Sequence, residues 1–275
     1  MDNYMNKDKI EIIDKIETID KTETIDKTDT IDKTDTITTC YAYIKKSFEK
    51  VGIELSDIQV QQFYSYYELL IEKNKVMNLT AITEFEDVVL KHFIDSCITF
   101  DKVNKMKVNS IIDVGTGAGF PGIPLKILFP EISFVLIDSL NKRILFLKEV
   151  IEHLHLNQIE VVHGRAEDLG HNTLYREKFD CCISRAVANL STLSEYCLPF
   201  VKVGGKFISY KSGTIDDEVK QSQNAIRILS SEIIKIDKFS LPESDIERSI
   251  VIIEKINNLA KKYPRKAGVP TKQPL

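Results

Sequence analysis

The pattern of apolar and polar positions divides the chain into a repetitive N-terminal part, a helical part and a part in which strands and helices alternate. From Ile13 to Thr36 a six-residue unit recurs as IDKIET IDKTET IDKTDT IDKTDT. A period of six matches neither a strand nor a helix over a long range, and so few apolar residues cannot offset the entropy lost on ordering. We therefore predict that residues 1–39 form a low-complexity, disordered or weakly helical extension. A hexapeptide β-helix, the alternative, needs many more turns and a wider apolar set.

Residues 40–108 show the spacing of helices. Ser56 is a suitable N-cap, and the apolar positions after it recur at mixed spacings of three and four. A further apolar stripe begins after Thr83. We predict a small helical cap over residues 40–108, in which the aromatic side chains form a core rather than stacking platforms for nucleic acid. His92 lies in this cap, either as a structural histidine or as a residue that reaches a site.

From Ser110 onward, short β-branched or aromatic runs alternate with helical stretches. The runs are SIIDVG, ISFVLID, IEVVHG, FDCCISR and GKFISYK. Such alternation predicts βαβ units and a parallel sheet covered on both faces. After Lys211, a helix over residues 215–229 leads to two strand-like runs around a turn that contains proline. The prediction is an α/β domain over residues 109–258, with a mostly parallel seven-stranded sheet and an antiparallel terminal hairpin; a dehydrogenase Rossmann domain would continue with another parallel unit.

Composition indicates a globular protein. The chain has 275 residues, of which 43% are hydrophobic, and can therefore bury a full core. It has no apolar run near the roughly 20 residues of a membrane span and no signal-peptide pattern, so we expect a cytoplasmic protein without a membrane partner. The five cysteines are odd in number and lack C-x-x-C spacing. Neither a disulfide framework nor a metal site is expected.

The charge is unevenly distributed along the chain. Residues 1–39 hold eleven acids and six lysines, so the formal charge of −4 for the whole chain leaves +1 for residues 40–275. The last stretch carries six basic residues from Lys255 to Lys272 and no acid. A basic tail of this kind, over residues 259–275, either neutralises RNA phosphates or is a solvated, frayed end.

The glycine-rich stretch IIDVGTGAGFPGIPL follows the first parallel strand and precedes a helix, at the sheet end where open α/β folds bind ligands. Gly117, Gly119 and Gly122 form a literal G-x-G-x-x-G, which by itself suggests a dinucleotide. Asp113 and Gly115 complete D-x-G-x-G, the arrangement with which many methyltransferases hold the amino acid part of S-adenosylmethionine. A carboxylate there suits the ammonium group, and glycines let a ligand approach the backbone. A tight turn that needs glycine only for packing is the alternative.

Later strand ends carry further candidates. Asp138 closes the second strand, where a carboxylate can accept hydrogen bonds from both ribose hydroxyls. The Ala166–Asp168 turn follows the third strand, the usual place for contacts to an adenine ring. Cys181 and Cys182 lie in the fourth strand, where a cysteine nucleophile of the cytosine-C5 type is one interpretation. Alternation within a buried strand is favoured because the expected P-C motif is missing.

Seven motifs, in this order, resemble the RsmG (GidB) family of ribosomal RNA methyltransferases: MNLTAI, KHFIDS, DVGTGAGFPGIPL, DSLNKRILFL, GRAEDL, SRAVANL and KYPRKAGVPTKQPL. The resemblance runs from about Tyr41 to the C-terminus. It implies the class I S-adenosylmethionine-dependent methyltransferase fold, which is Rossmann-like, and S-adenosylmethionine as cofactor. It also implies N7 methylation of a guanosine in the 530 loop of 16S rRNA, with the small ribosomal subunit as partner. We expect the chain to act as a monomer.

The resemblance also assigns site residues. The family's cofactor contacts fall on Gly115, Phe120, Ala166, Glu167 and Arg185. The residues themselves add Asp113, Gly117 and Asp138 to this cofactor set. Arg185, in the loop after the fourth strand, is also the expected catalytic residue, with the cofactor carboxylate, an RNA phosphate or the base as its partner; a surface arginine that opens a helix is the alternative. Beside the resemblance, the expected RNA-binding residues are Lys261, Lys262, Arg265 and Lys266.

The chemistry of the implied reaction fits this set. Guanine N7 has a free lone pair and no proton, so methyl transfer requires positioning far more than a general base. Three functions stay open: an rRNA methyltransferase, a small-molecule methyltransferase of the same fold, and a nucleotide- or RNA-binding module without turnover. The basic tail disfavours the second function. The third function is disfavoured by the presence of a complete candidate site, which consists of Asp113, Gly115, Gly117, Asp138 and Arg185.

Overall fold

The computed structural model describes residues 35–185 and 187–275. Most of the predicted N-terminal extension, including nearly all of its repeat, lies outside the described residues. The end of that extension, residues 35–39, is helical and continues directly into the cap. The predicted boundary at residue 39 is therefore too late, because the helix that is anchored by the buried Ile44 and Phe48 begins before Cys40.

The described chain contains eleven α-helices, one π-helical segment, one 3₁₀ turn and seven strands. The helical elements are α1 (35–49), α2 (Asp57–Met77), α3 (Phe85–Val88), the π-helical segment (Val89–Ile94), α4 (Asp95–Cys97), α5 (Phe100–Met106), α6 (Gly122–Leu128), α7 (Asn141–His153), α8 (Ala166–Leu169), α9 (Leu190–Cys197), the 3₁₀ turn (Leu198–Phe200), α10 (Asp216–Ile228) and α11 (Val269–Lys272). The strands are β1 (Ser110–Val114), β2 (Ser133–Asp138), β3 (Ile159–His163), β4 (Phe179–Arg185), β5 (Val201–Ser212), β6 (Ser231–Ser240) and β7 (Glu247–Lys255). Within the two described ranges, no helix combines the length and the apolar character required to cross a bilayer.

The strands form one sheet in the order β3-β2-β1-β4-β5-β7-β6. β1 is parallel to β2 and β4, β2 is parallel to β3, and β4 is parallel to β5. β7 lies antiparallel to both β5 and β6. The predicted mostly parallel sheet with an antiparallel terminal hairpin is confirmed. The chain reverses its winding between β1 and β4, and in open α/β sheets the carboxyl ends at such a reversal form the ligand crevice.

Both faces of the sheet are covered, and alternate residues of a strand belong to different cores. On β4, Cys181 packs with the core that includes the cap, whereas Cys182 packs with the core that includes α9 and α10. Burial raises the pKa of the Cys181 thiol to about 12 and that of Cys182 well above its usual value. Because a thiolate is the reactive form of cysteine, this burial speaks against the cysteine-nucleophile alternative.

The cap packs against the glycine-rich loop through an aromatic side chain. The predicted N-cap is confirmed, since Ser56 and Gln59 form a capping box at the start of α2. Tyr66 of α2 is fully buried and stacks on Phe93, with ring centroids 5.5 Å apart. Its hydroxyl donates a hydrogen bond to the carbonyl of Ala118 in the glycine-rich loop. The aromatic residues of α2 and of the π-helical segment therefore form a core, as predicted, and that core supports the loop.

The C-terminal segment, defined as residues 259–275, is packed on the domain. Leu259, Tyr263 and Pro270 are buried. The Arg176 guanidinium donates to the carbonyl of Tyr263 at 2.7 Å and to that of Leu259 at 3.1 Å. The alternative of a frayed, solvated tail is therefore wrong for this segment.

Candidate functional site

Asp113, near the end of β1, holds the glycine-rich loop in shape. Its Oδ2 accepts hydrogen bonds from Thr116 Oγ1 at 2.7 Å and from the Gly122 N–H at 2.9 Å. The side chain is fully buried, and this burial raises the pKa of the carboxyl to about 7, although both hydrogen bonds act to lower it. Its Oδ1 is buried and has no hydrogen-bond partner among the described residues. Asp113 thus lies behind the loop, where it shapes the backbone and has no exposed surface for a ligand ammonium.

Gly115 brings the loop backbone close to the loop that follows β4. Its φ is 72°, in the left-handed region that favours glycine. A Cβ at this position would lie 2.7 Å from Cγ2 of Val187. A side chain on residue 115 would therefore collide with the wall that faces it.

Asp138, the last residue of β2, is fixed by three donors. Its Oδ2 accepts hydrogen bonds from the Gly117 N–H at 3.0 Å and from Arg143 Nη1 at 3.2 Å. Its Oδ1 accepts from the Leu140 N–H at 2.9 Å. The side chain is only 3% exposed. Asp138 therefore joins the glycine-rich loop to the start of α7 at the carboxyl end of the sheet.

A cavity of about 200 Å³, which we call the strand-end cavity, opens at the carboxyl ends of β1, β2 and β3. The predicted cofactor-binding residues that line it are Gly115, Asp138, Ala166 and Glu167. Val187 and Tyr196 line it from the side of the β4 loop and α9. Two carboxylates, exposed backbone and an aromatic ring suit a ligand that carries both hydroxyl groups and an aromatic base.

A second cavity, of about 630 Å³, lies between the cap, the β4 loop and β7, and we call it the arginine cavity. Asp95 of α4 binds the two arginines that line it. Its Oδ2 is 3.1 Å from Arg185 Nη1, and its Oδ1 is 2.9 Å from Arg248 Nε. The Asp95 side chain is 5% exposed. Val187 lines both cavities, so the arginine cavity and the strand-end cavity lie on either side of the loop after β4.

An aromatic stack supports Arg185 from behind. The Phe120 ring has centroid distances of 5.3 Å to Tyr66 and 4.5 Å to His92, and the Arg185 guanidinium carbon lies 5.1 Å from the Phe120 centroid. Such contacts between a guanidinium and an aromatic face are attractive. Burial, together with the charge of Arg185, lowers the pKa of His92 to about 4. His92 is therefore neutral at pH 7; its Nε2 is 2.7 Å from Thr80 Oγ1 and its Nδ1 is 3.4 Å from Arg185 Nη2.

The other four predicted cofactor residues, Asp113, Gly117, Phe120 and Arg185, do not line the strand-end cavity. Asp113 and Gly117 shape the loop, Phe120 supports Arg185, and Arg185 lines the neighbouring arginine cavity. The sequence predictions missed Asp95, Arg248, Val187 and Tyr196 as wall residues. Asp95 lies in the motif KHFIDS, and this motif could have marked it as a site residue. Its partner Arg248 is 153 residues away in the chain, so the sequence gives no sign of their contact. Across the part of the chain that the structure describes, no group of three or more His, Cys, Asp or Glu side chains is arranged to hold a metal ion.

Arg265, one of the four predicted RNA-binding residues, is committed to a contact inside the protein. Its Nε and Nη2 donate to the Glu195 carboxylate at distances from 2.6 to 3.1 Å, and its backbone N–H donates to Glu195 Oε1 at 2.8 Å. The Glu195 side chain has no exposed surface. The Arg265 guanidinium therefore compensates a buried carboxylate, and a contact of Arg265 with RNA stays a prediction. Lys261, Lys262 and Lys266 are exposed.

The chain matches a known family over most of its length. Residues 59–251 match the GidB family, described as rRNA small subunit methyltransferase G. A Ribosomal RNA small subunit methyltransferase G of Acetivibrio thermocellus is 53% identical over 224 residues, which cover 82% of this chain and 92% of that protein. The protein of the same name from Alkaliphilus metalliredigens is 49% identical over 232 residues, which cover 84% of this chain and 97% of that protein.

A solved structure of an O-methyltransferase from Bacillus cereus in complex with SAH has the same fold. The TM-score is 0.54 at 17% identity, and the superposition covers 80% of this chain and 100% of that chain. This likeness confirms the predicted methyltransferase fold. The family match runs from β1 through β6 into β7 and includes the residues that line both cavities. The chain therefore belongs to the GidB family of small-subunit rRNA methyltransferases, rRNA small subunit methyltransferase G.

Proposed function

We propose that this chain transfers the methyl group of S-adenosylmethionine to N7 of a guanosine in the 530 loop of 16S rRNA, in the cytoplasm and as a monomer. The observation that carries the proposal is that the strand-end cavity and the arginine cavity are neighbours, with Val187 in the lining of both. A methyl donor in the first cavity and a base in the second would lie on either side of Val187. Membership of a family of small-subunit rRNA methyltransferases supports the RNA as substrate.

The strand-end cavity fits S-adenosylmethionine in its chemistry. The Asp138 carboxylate would accept hydrogen bonds from the ribose hydroxyls, and Ala166 and Glu167 would border the adenine ring. Gly115 exposes backbone without a side chain at the cavity wall, where a Cβ would lie 2.7 Å from Val187 Cγ2. The bound cofactor supplies an electrophilic methyl group on a sulfonium. The residues of the chain hold and orient it.

The arginine cavity fits the guanosine and its phosphates. Guanine presents O6 and N7 as acceptors on one edge, and arginine is a common donor to that edge. Arg185 and Arg248 line the cavity, and the shared Asp95 carboxylate holds both guanidinium groups in place. Because N7 has no proton to lose, the task of these residues is to position the base, and positioning can contribute roughly 7–11 kcal/mol to lowering a barrier.

The test of the proposal is a transfer assay with the full chain. The chain is incubated with S-adenosylmethionine labelled in its methyl group and with small ribosomal subunits from cells that lack the modification. We expect label in 16S rRNA as 7-methylguanosine in the 530 loop. Label confined to small molecules, or no transfer at all, would contradict the proposal. As a control at the level of one atom, subunits that carry 7-deazaguanosine at the target position have C–H in place of N7 and should accept no methyl group.

The exposed lysines of the C-terminal segment are expected to bind RNA phosphates. Replacing Lys261, Lys262 and Lys266 together by glutamate removes up to three such contacts. The slope of log affinity against log salt concentration is negative, and its magnitude should decrease by about 2. The measurement is a titration of small subunits at several salt concentrations. Lys105→Glu on α5, outside the C-terminal segment and with a side chain that is 79% exposed, should leave the slope unchanged. An unaltered slope in the triple variant would remove the C-terminal segment from the RNA interface.

A further inference from the structure

The C-terminal segment contacts two walls of the strand-end cavity from outside. The N–H of Gly268 donates to Glu167 Oε1 at 3.0 Å, and the hydroxyl oxygens of Thr271 and Tyr196 are 2.7 Å apart. Glu167 and Tyr196 both line the strand-end cavity. The conformation of the segment therefore determines how α8 and α9 present these two side chains to the cavity.

The segment is anchored to α9 by one buried ion pair. Arg265 binds both oxygens of Glu195, which has no exposed surface and precedes Tyr196 in the chain. A second contact follows, in which Thr192 Oγ1 donates to the carbonyl of Pro270 at 3.1 Å. A buried carboxylate needs its partner, since removing one member of such a pair leaves an uncompensated charge. Arg265 thus keeps this part of the segment in register with α9.

A single turn joins an exposed cation to the cavity wall. The Val269 N–H donates to the carbonyl of Lys266 at 3.0 Å, which closes a turn. Gly268 within this turn has φ 81° and ψ −13°, values that favour glycine. Lys266 is exposed at the start of the turn, while the Gly268 N–H is bound to Glu167. Lys266, which is free to bind a phosphate, is therefore only two residues before Gly268, which binds Glu167.

We propose that the C-terminal segment couples RNA binding to cofactor binding, with Arg265 as the positioning residue that anchors it. The inference rests on the proposed function, because it takes S-adenosylmethionine as the ligand of the strand-end cavity and rRNA as the partner of Lys266. An RNA phosphate at Lys266 further stabilises the turn, and the turn holds Glu167 in place for the cofactor. Coupling between two binding equilibria is reciprocal, so bound cofactor strengthens RNA binding by the same factor.

The coupling is measured by calorimetric titration of the full chain with SAH, with and without a saturating RNA fragment that carries the 530 loop. In the wild type, RNA is expected to tighten SAH binding about fivefold or more. Gly268→Ala tests the turn directly. The added Cβ meets no atom within 4 Å, so the variant fits sterically, but alanine at φ 81° is strained. We expect SAH binding without RNA to weaken about fivefold and the enhancement by RNA to fall toward one.

Gly204→Ala is the matched control. Gly204 also has a positive φ, of 79°, and open space around a new Cβ, but it lies near the amino end of β5. SAH affinity and its enhancement by RNA should remain those of the wild type. Arg265→Lys keeps a cation beside Glu195 yet loses the two-pronged contact, so it should reduce the enhancement as Gly268→Ala does.

Two results would overturn the coupling: no effect of RNA on the SAH affinity of the wild type, or Gly268→Ala and Arg265→Lys variants that behave like Gly204→Ala. Thermal unfolding of each variant shows whether it is folded at the temperature of the titration. The enhancement is a ratio of two SAH affinities of the same protein, so it reports on coupling and not on the amount of folded protein. Failure of the coupling leaves methyl transfer by the wild type intact. Failure of the proposed function shows instead as a wild type that does not methylate the subunits.

Discussion

Replacing Asp138 by asparagine is expected to weaken SAH binding at least about 100-fold, which corresponds to about 2.7 kcal/mol. The carboxylate accepts hydrogen bonds from two backbone N–H groups and from Arg143, and asparagine supplies one acceptor oxygen and one amide that faces a donor. Hydrogen bonds to a charged group contribute about 1.5–3 kcal/mol each. The loss of one of them also releases Gly117, and with it the loop that faces the cofactor. Calorimetric titration with SAH provides the affinity.

Asp180→Asn is the matched control for this change. Asp180 Oδ2 accepts from the N–H groups of Asn109 and Ser110 at 2.8 and 3.0 Å, so it also ties a loop to a strand. It lies at the amino end of the same sheet, away from both cavities. Both variants should lower the unfolding temperature, but only Asp138→Asn should lose affinity for SAH. Wild-type affinity in Asp138→Asn would show that this carboxylate does not belong to the cofactor site.

Replacing Asp113 by asparagine is expected to stabilise the ligand-free protein at neutral pH by up to about 4 kcal/mol. Burial raises the pKa of Asp113 to about 7 from its ordinary value of 3.8. Between pH 3.8 and about pH 7 the folded chain holds a proton that the unfolded chain has released. The free energy of unfolding therefore falls as the pH rises through this window. Above pH 7 both states are ionised and the full cost remains. Asparagine keeps the acceptor for Thr116 and Gly122 without the charge.

Urea unfolding of the two proteins between pH 4 and pH 8 gives this difference. The two free energies of unfolding should agree near pH 4 and separate progressively up to pH 7. Asp180→Asn should act in the opposite direction and lose stability at neutral pH. Burial acts to raise the pKa of Asp180, but its bonds to Lys202 and to backbone N–H groups bring it below its ordinary value. Parallel profiles of the wild type and Asp113→Asn would show that burial does not raise the pKa of the Asp113 carboxyl.

The sheet and the strand-end cavity could be predicted from the sequence because their signals are local. Each strand is a short apolar run, and in parallel strands the residue that follows the run necessarily lies at the carboxyl edge of the sheet. Asp138 and Glu167 are therefore placed by their neighbours in the chain. Gly115 is recognised in the same way, since a positive φ at a strand end requires glycine.

The arginine cavity could not be predicted in this way, because its parts come from distant segments. Asp95 follows a π-helical segment in the cap, and Arg248 lies on the antiparallel strand β7. Their contact depends on the register between β5 and β7, in which Ser212 pairs with Arg248. The partner of Arg265 could not be predicted for a related reason: a basic run does not show which of its charges are paired, and the buried partner Glu195 is 70 residues away.

The contact between Tyr66 and the glycine-rich loop makes the structure of the loop depend on the cap. Tyr66 donates to the Ala118 carbonyl, and a Cβ on Gly119 would lie 2.7 Å from its hydroxyl oxygen. The conformation of the loop thus depends on contact with Tyr66, which precedes the domain by more than forty residues. A chimera that joins this domain to the cap of another methyltransferase must carry over α2 and the loop together, because either half alone would lack the surface against which the other is shaped.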